Sequence, residues 1–267
     1  MIRQQIRFMA ICVLAMLLAL ATVGPAHAQA HETLPDVIAK LRQSVVPVGT
    51  FANLRSPPFV LRGSAFAVED GRYLITNAHV IPTLDVESGE SLSILVGHGI
   101  ESRRDAVTVV TVDSDHDIAV LRTSGPALPA LKFGDSALVR EGQSIAFMGF
   151  PIGGALGLSP VTHRGIVSAV TPIAIPAGNA NQLAVQAIQR LRAGPFNIFQ
   201  LDATAYPGNS GGPLFDPATG DVLGILNMVF VKESKESVLQ KPSGISYAIP
   251  ARYVQDILAE LKRTKAP

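Results

Sequence analysis

The chain has 267 residues, of which 48% are hydrophobic and 16% charged, and its formal net charge is +1. This composition is typical of a globular protein with a sizeable core, and the near-neutral charge argues against nucleic acid or an acidic surface as a partner. The single cysteine, Cys12, excludes a disulfide framework, so the core alone must hold the fold.

The first 28 residues have the pattern of a secretory signal peptide. Arg3 and Arg7 precede an unbroken apolar stretch, and Ala26 and Ala28 then stand in A-x-A spacing. We predict cleavage after Ala28 and export to the periplasm or the medium, with membrane contact only through this segment. The alternative is an uncleaved membrane anchor, for which the apolar stretch is somewhat short.

The rest of the chain reads mainly as short strands separated by turns. Runs rich in Val, Ile, Phe and Thr alternate with Gly, Pro, Asp and Ser, which is typical of an all-β sandwich or barrel. The predicted strands are 45–51, 63–69, 73–80, 91–97, 105–113, 117–123, 143–150, 164–170, 196–203, 221–230 and 244–250.

Two stretches have helical periodicity instead. Residues 34–46 carry apolar side chains at helical spacing, and the segment 251–264 does the same with basic residues in its last turn. The apolar positions are Val37, Ile38, Leu41 and Val45 in the first stretch and Tyr253, Val254, Ile257, Leu258 and Leu261 in the second.

The stretch AYPGNSGGPLF, residues 205–215, surrounds Ser210 with glycines. A serine hydroxyl becomes a nucleophile only beside a base, and acyl transfer also needs N–H donors for the oxyanion. The N–H groups of Gly208 and Ser210 could supply that pair. Taken alone, the stretch is equally compatible with an ordinary glycine-rich turn.

A base and a carboxylate stand at the edges of apolar strands elsewhere in the chain. His79 follows YLITNA and Asp117 precedes IAVLR, so His79 could face a cleft and its ring could pair with Asp117. A lone histidine there is more often simply packed or exposed. We interpret the neighbours Asp113, Asp115 and His116 as solvated turn residues.

The order of TNAHV, DIAVL and GNSGGPL resembles that of the chymotrypsin-like serine proteases, and most of all the protease domain of the bacterial HtrA (Deg) family. The resemblance implies a domain over 29–267 made of two perpendicular six-stranded β-barrels, at about 45–127 and 143–250, with a C-terminal helix. It implies His79 as general base, Asp117 as its orienting partner and Ser210 as nucleophile. The oxyanion hole would be formed by Gly208, Asn209 and Ser210.

The same resemblance predicts the substrate pocket and its preference. The lining would be Thr204, Ala205 and Tyr206 before the nucleophile, and Leu226, Asn227 and Met228 on a later strand. Trypsin has an acid where Thr204 stands, so a basic P1 residue is unsupported and we predict a small or medium aliphatic one. A substrate would add as an extended strand along residues 225–229.

These features predict an exported serine endopeptidase that acts on proteins or peptides in envelope quality control or regulatory proteolysis. We expect no cofactor, no metal and no PDZ domain after Pro250. The loop 171–196 would either gate access to the active site or form a helix packed on the barrel. A homo-oligomer is an open alternative. The competing functions are a latent or inactive protease-fold binding protein or chaperone and, less favoured by the order of motifs, an esterase.

Overall fold

The computed structural model describes residues 32–85, 87, 89–97, 102–151, 158–172, 196–227 and 244–265. The predicted signal peptide, most of the loop 171–196 and Met228 lie outside these residues. The elements in chain order are α1 (Leu34–Leu41), β1 (Val45–Phe51), β2 (Phe59–Val68), β3 (Tyr73–Thr76), β4 (Ser91–Val96), β5 (Arg103–Asp113), β6 (Ile118–Thr123), β7 (Ser144–Gly149), β8 (Val161–Pro172), β9 (Asn197–Asp202), β10 (Pro213–Phe215), β11 (Val222–Asn227), β12 (Ile245–Pro250) and α2 (Arg252–Lys265).

The strands close into two six-stranded antiparallel barrels. The first has the order β1-β2-β3-β6-β5-β4 and the second the order β10-β11-β12-β9-β8-β7. Closure leaves neither sheet with an open side, which satisfies backbone groups that a flat sheet would expose. The expectation of two six-stranded barrels with a helix near each end is therefore confirmed.

Three clusters of buried apolar side chains form the core. One fills the first barrel and includes Val48 and Leu74, and one fills the second barrel and includes Phe147 and Leu226. The third contains side chains from both barrels and both helices, among them Leu258. The two halves of the molecule therefore share one packed interior rather than a solvated linker.

The sequence pattern misplaced two features of the fold. Val45 was predicted both in the helical stretch 34–46 and in the strand 45–51; α1 ends at Leu41 and Val45 pairs with Phe66 in β2, so the strand is correct and the helical stretch was drawn too long. The Ser44 N–H donates to the Leu41 carbonyl at 2.9 Å, which turns the chain so that β-branched valines enter the barrel. The strand β10 was not predicted, because three residues are too few to show an alternating pattern.

Within the described ranges, none of the helices combines the length and the apolar character that crossing a bilayer requires.

Candidate active site

His79 and Asp117 meet at one end of the first barrel. His79 lies in a single 3₁₀ turn, Ala78–Val80, that follows β3, and Asp117 directly precedes β6. Asp117 Oδ2 is 2.7 Å from His79 Nδ1, and Asp117 Oδ1 accepts the His79 backbone N–H at 2.9 Å. The strand predicted over 73–80 is thus shorter than expected, because these bonds turn the chain out of the sheet after Thr76.

The backbone at Asp117 is unusual. Its φ is +56°, in the left-handed region that short polar side chains such as Asp tolerate best. The Asp117 carbonyl accepts hydrogen bonds from the Ala78 N–H and from Asn77 Nδ2. These bonds fix the side chain against the imidazole, which orients the ring.

Asp117 is held ionised although it is only 2% exposed. Burial by itself would raise its pKa, but hydrogen bonds and charge from His79, and the Asn227 amide, together hold that pKa below its usual value. Asn227 Nδ2 donates to Asp117 Oδ2 at 2.7 Å. The sequence suggested Asn227 as a substrate contact, whereas the structure places its fully buried amide on the carboxylate.

The loop around Ser210 leaves two N–H groups free. The N–H groups of Asn209, Gly211 and Gly212 donate to the carbonyls of Tyr206, Leu226 and Asn209. Within the described part of the chain, the N–H groups of Gly208 and Ser210 have no acceptor. Two free amides beside a serine hydroxyl can hold a developing oxyanion.

Glycine is required at both ends of this loop. Gly208 has φ +103° and Gly211 has φ +85°, and a side chain at either would collide with backbone, at Phe150 and Ser64 respectively. The crowding around Ser210 therefore has a geometric cause. The side chain of Asn209 is fully buried beside Gly149.

Ser64 on β2 joins the first barrel to this loop. Its N–H donates to the Ser210 carbonyl at 2.8 Å, and its Oγ donates to the Gly208 carbonyl at 2.7 Å. The same Oγ accepts the Phe150 N–H at 3.0 Å. Sequence reasoning did not single out Ser64; the GSAF motif before the histidine strand was the available signal.

The His79 turn and the Ser210 loop face each other across Gly63. A Cβ on Gly63 would lie 2.8 Å from both the Ser210 carbonyl oxygen and Val80 Cγ2. Among the described residues, His79 Nε2 and Ser210 Oγ have no hydrogen-bond partner. Both atoms are thus open to a substrate, and such bonds often tighten only when substrate binds.

The predicted pocket residues divide into buried and accessible ones. Thr204 and Tyr206 are half-buried, whereas Ala205 is buried in the second barrel's core; Met228 lies outside the described residues. Leu226 has no exposed surface, and its N–H and carbonyl bond Gly212 and Gly211. The buried Leu226 side chain and its paired backbone groups therefore argue against substrate contact at Leu226 and against strand addition from residue 225.

The interpretation of His116 as a solvated turn residue is wrong. Its Nδ1 is 2.7 Å from Asp113 Oδ2, and its ring stacks on Tyr253 of α2 with centroids 4.2 Å apart. Burial raises the pKa of Asp113, but the bonds from His116 outweigh that effect and lower it. Asp115 is exposed, as expected. This pair braces the turn that carries Asp117.

Comparisons with known proteins agree with this geometry. The profile of the "Trypsin-like peptidase domain" matches residues 63–225, more than half of the chain. The chain therefore belongs to the trypsin-like peptidase family, and the predicted family resemblance is confirmed.

Its relatives include serine endoproteases of the HtrA type. The chain is 31% identical over 200 residues to a "Probable periplasmic serine endoprotease DegP-like" of Halomonas elongata, covering 75% of this chain and 35% of that protein. It is 34% identical over 203 residues to "Serine protease Do-like HtrA" of Bacillus subtilis, covering 74% and 38%. The chain thus spans well under half the length of these relatives.

A solved structure shares the fold. The "HtrA-type protease AlgW with tripeptide" superposes with a TM-score of 0.62 at 26% sequence identity, over 86% of this chain and 64% of that one.

Proposed function

We propose that the chain is an exported serine endopeptidase in which Ser210, His79 and Asp117 form the catalytic triad. Supporting this are the 2.7 Å contact between His79 and Asp117 and membership of the trypsin-like peptidase family. The observation that carries the proposal is the pair of unpaired N–H groups, on Gly208 and Ser210, that flank the Ser210 hydroxyl.

Each residue has a defined role in the reaction. His79 Nε2 takes the proton of Ser210 Oγ as that oxygen attacks the scissile carbonyl carbon, and the new oxyanion is bound by the N–H groups of Gly208 and Ser210. His79 then gives the proton to the leaving amine as the C–N bond breaks. Water repeats the sequence on the acyl-enzyme, and Asp117 stabilises the imidazolium in both halves. These steps need no cofactor or metal.

Substrates would be protein segments in an extended conformation. The half-buried Thr204 and Tyr206, which precede the proposed nucleophile, support a site for such a segment. We place the mature protease domain at 29–267. The names of the periplasmic relatives and the pattern of residues 1–28 support export to the periplasm, with a role in envelope quality control or regulatory proteolysis.

Covalent labelling tests this function directly. The purified chain is treated with a fluorophosphonate probe and, separately, with unfolded casein. We expect labelling at Ser210 and casein cleavage, both abolished by Ser210→Ala, with a loss of turnover of about 10⁴-fold or more. The matched control Ser168→Ala changes an exposed serine of β8 and should leave both signals intact.

The competing function has a distinct result. A folded protein that neither labels nor cleaves, yet binds casein, would be the latent binding protein rather than the protease. Labelling that survives Ser210→Ala would contradict the assignment of the nucleophile.

A further inference from the structure

His163 is a half-buried side chain of the second barrel that the catalytic steps do not use. It lies on β8 opposite Phe147 on β7, and the two rings stack with centroids 4.9 Å apart and planes 18° from parallel. Phe147 itself is fully buried. The imidazole therefore covers one end of the second barrel's core.

The same ring lies beside the segment that precedes the nucleophile. Its centroid is 6.0 Å from that of Tyr206. Gly165, two residues after His163 on β8, packs closely against Ala203. A Cβ atom added to Gly165 would lie only 2.7 Å from the Cβ of Ala203. His163 therefore lies beside both Phe147 of the second barrel's cluster, which also contains Ala203 and Ala205, and Tyr206 of the predicted pocket segment.

The Nε2 atom of His163 is buried and has no hydrogen-bond partner among the described residues. Buried polar atoms are usually paired, and this one lies on a ring beside Tyr206 of the predicted pocket segment, so a substrate group that hydrogen-bonds it would be stabilised there. Burial also lowers the pKa of His163, which keeps the ring neutral near pH 7. Such a ring offers one hydrogen bond at Nε2 and no charge.

We propose that His163 is a specificity-determining residue, whose Nε2 hydrogen-bonds an uncharged polar P1 side chain, the carboxamide of glutamine, in the primary substrate pocket. This rests on the proposed protease function and replaces the aliphatic preference expected from the sequence. A carboxamide satisfies the orphan nitrogen without bringing charge into the barrel. A glutamate carboxylate would be buried beside a neutral ring, which is costly.

Matched peptides test the preference. The full chain is assayed at pH 7.5 with substrates that differ only at P1, where Gln is compared with the similarly shaped Met and with Glu. We expect kcat/KM for Gln to exceed that for Met by about tenfold, the worth of one hydrogen bond to a buried neutral group. His163→Phe, which keeps the stacking on Phe147, should abolish the ratio while the Met peptide is still cleaved.

The control is His116→Phe, which also replaces a stacked histidine but lies away from the pocket segment. It should leave the Gln-to-Met ratio unchanged, whatever it does to overall turnover. A ratio that is the same in the parent chain and His163→Phe would overturn the proposal. So would Glu being cleaved faster than Gln at this pH.

A binding measurement keeps the proposal testable if turnover is absent. Peptides ending in Gln or Met are titrated into the Ser210→Ala variant while the imidazole nitrogen resonances of His163 are followed by NMR. The Gln peptide should shift the Nε2 resonance and bind more tightly. Equal binding with no shift would refute the pocket role, whereas fluorophosphonate labelling separately decides the protease function.

Discussion

Ser64 does more at the site than its sequence context indicates. A single hydroxyl donates to the Gly208 carbonyl and accepts from Phe150, while its own N–H reaches the Ser210 carbonyl. Fixing the Gly208 carbonyl fixes the peptide plane next to the proposed oxyanion site. The residue therefore positions the two free amides through its bond to the Gly208 carbonyl and its backbone bond to Ser210.

Ser64→Ala should lower kcat about tenfold or more with little change in KM, because the amides would no longer be held for the oxyanion. Leaving two buried backbone groups unpaired should also destabilise the fold by about 1–3 kcal/mol. Steady-state kinetics and urea unfolding measure the two effects. Ser93→Ala, at a buried serine of β4 away from this loop, is the control and should leave kcat unchanged.

Asn227 has two candidate roles, supporting Asp117 and binding the substrate side chain. If its amide serves Asp117, Asn227→Leu should lower kcat about tenfold and leave the P1 preference intact, because one donor to the buried carboxylate is lost. If Asn227 instead binds the substrate side chain, KM and the P1 profile should change while kcat is kept. Kinetics with a small peptide panel distinguish these results, and we expect the first.

At the scale of elements, the C-terminal helix α2 connects packing to the site. Val254 and Leu258 are buried in the cluster shared by both barrels, and Tyr253 stacks on His116, close to Asp117. The helical spacing of the apolar residues predicted this buried face. The contact with the Asp117 turn was not predictable, because it joins residues more than 130 positions apart.

Leu258→Ala should destabilise the chain by about 2–5 kcal/mol, since the side chain is nearly fully buried and its removal leaves a cavity. Chemical denaturation measures the change. Glu260→Ala, two residues further along on the exposed face, should change stability by less than about 0.5 kcal/mol. Equal effects of the two substitutions would contradict the packing of α2.

At the scale of the whole molecule, the site lies at the junction of the two barrels. The first barrel supplies His79, Asp117 and Ser64, and the second supplies the Ser210 loop and Asn227. The geometry of the candidate site therefore depends on the shared core and on the bonds of Ser64 across the junction. Destabilising either barrel should affect activity as well as folding.

The half-buried His163 should make overall stability depend on pH. Its folded pKa lies below the ordinary value of 6.5, so the unfolded chain binds the proton more readily. This contribution is complete above pH 6.5 and is lost as the pH falls toward the folded pKa. Between pH 7 and pH 5 the parent chain should lose more stability than His163→Phe in urea unfolding. An equal loss in the two proteins would contradict the shift.

The sequence by itself determined the local secondary structure and the candidate reactive side chains. Alternating β-branched runs predicted every strand except the three-residue β10, and the spacing of apolar residues predicted both helices. The motifs around residues 79, 117 and 210 gave the candidate triad through their resemblance to the chymotrypsin-like serine proteases, whereas each residue taken alone had an ordinary structural explanation.

Only the tertiary structure decided which groups meet. The role of Asn227 at Asp117, the bridge made by Ser64 and the stacking of His116 on Tyr253 all join segments distant in sequence. Local propensity carries no information about such contacts, because they arise when barrel closure brings remote strands into register. Whether a polar atom is buried, and with which partner, is a property of that closure and not of any short stretch of chain.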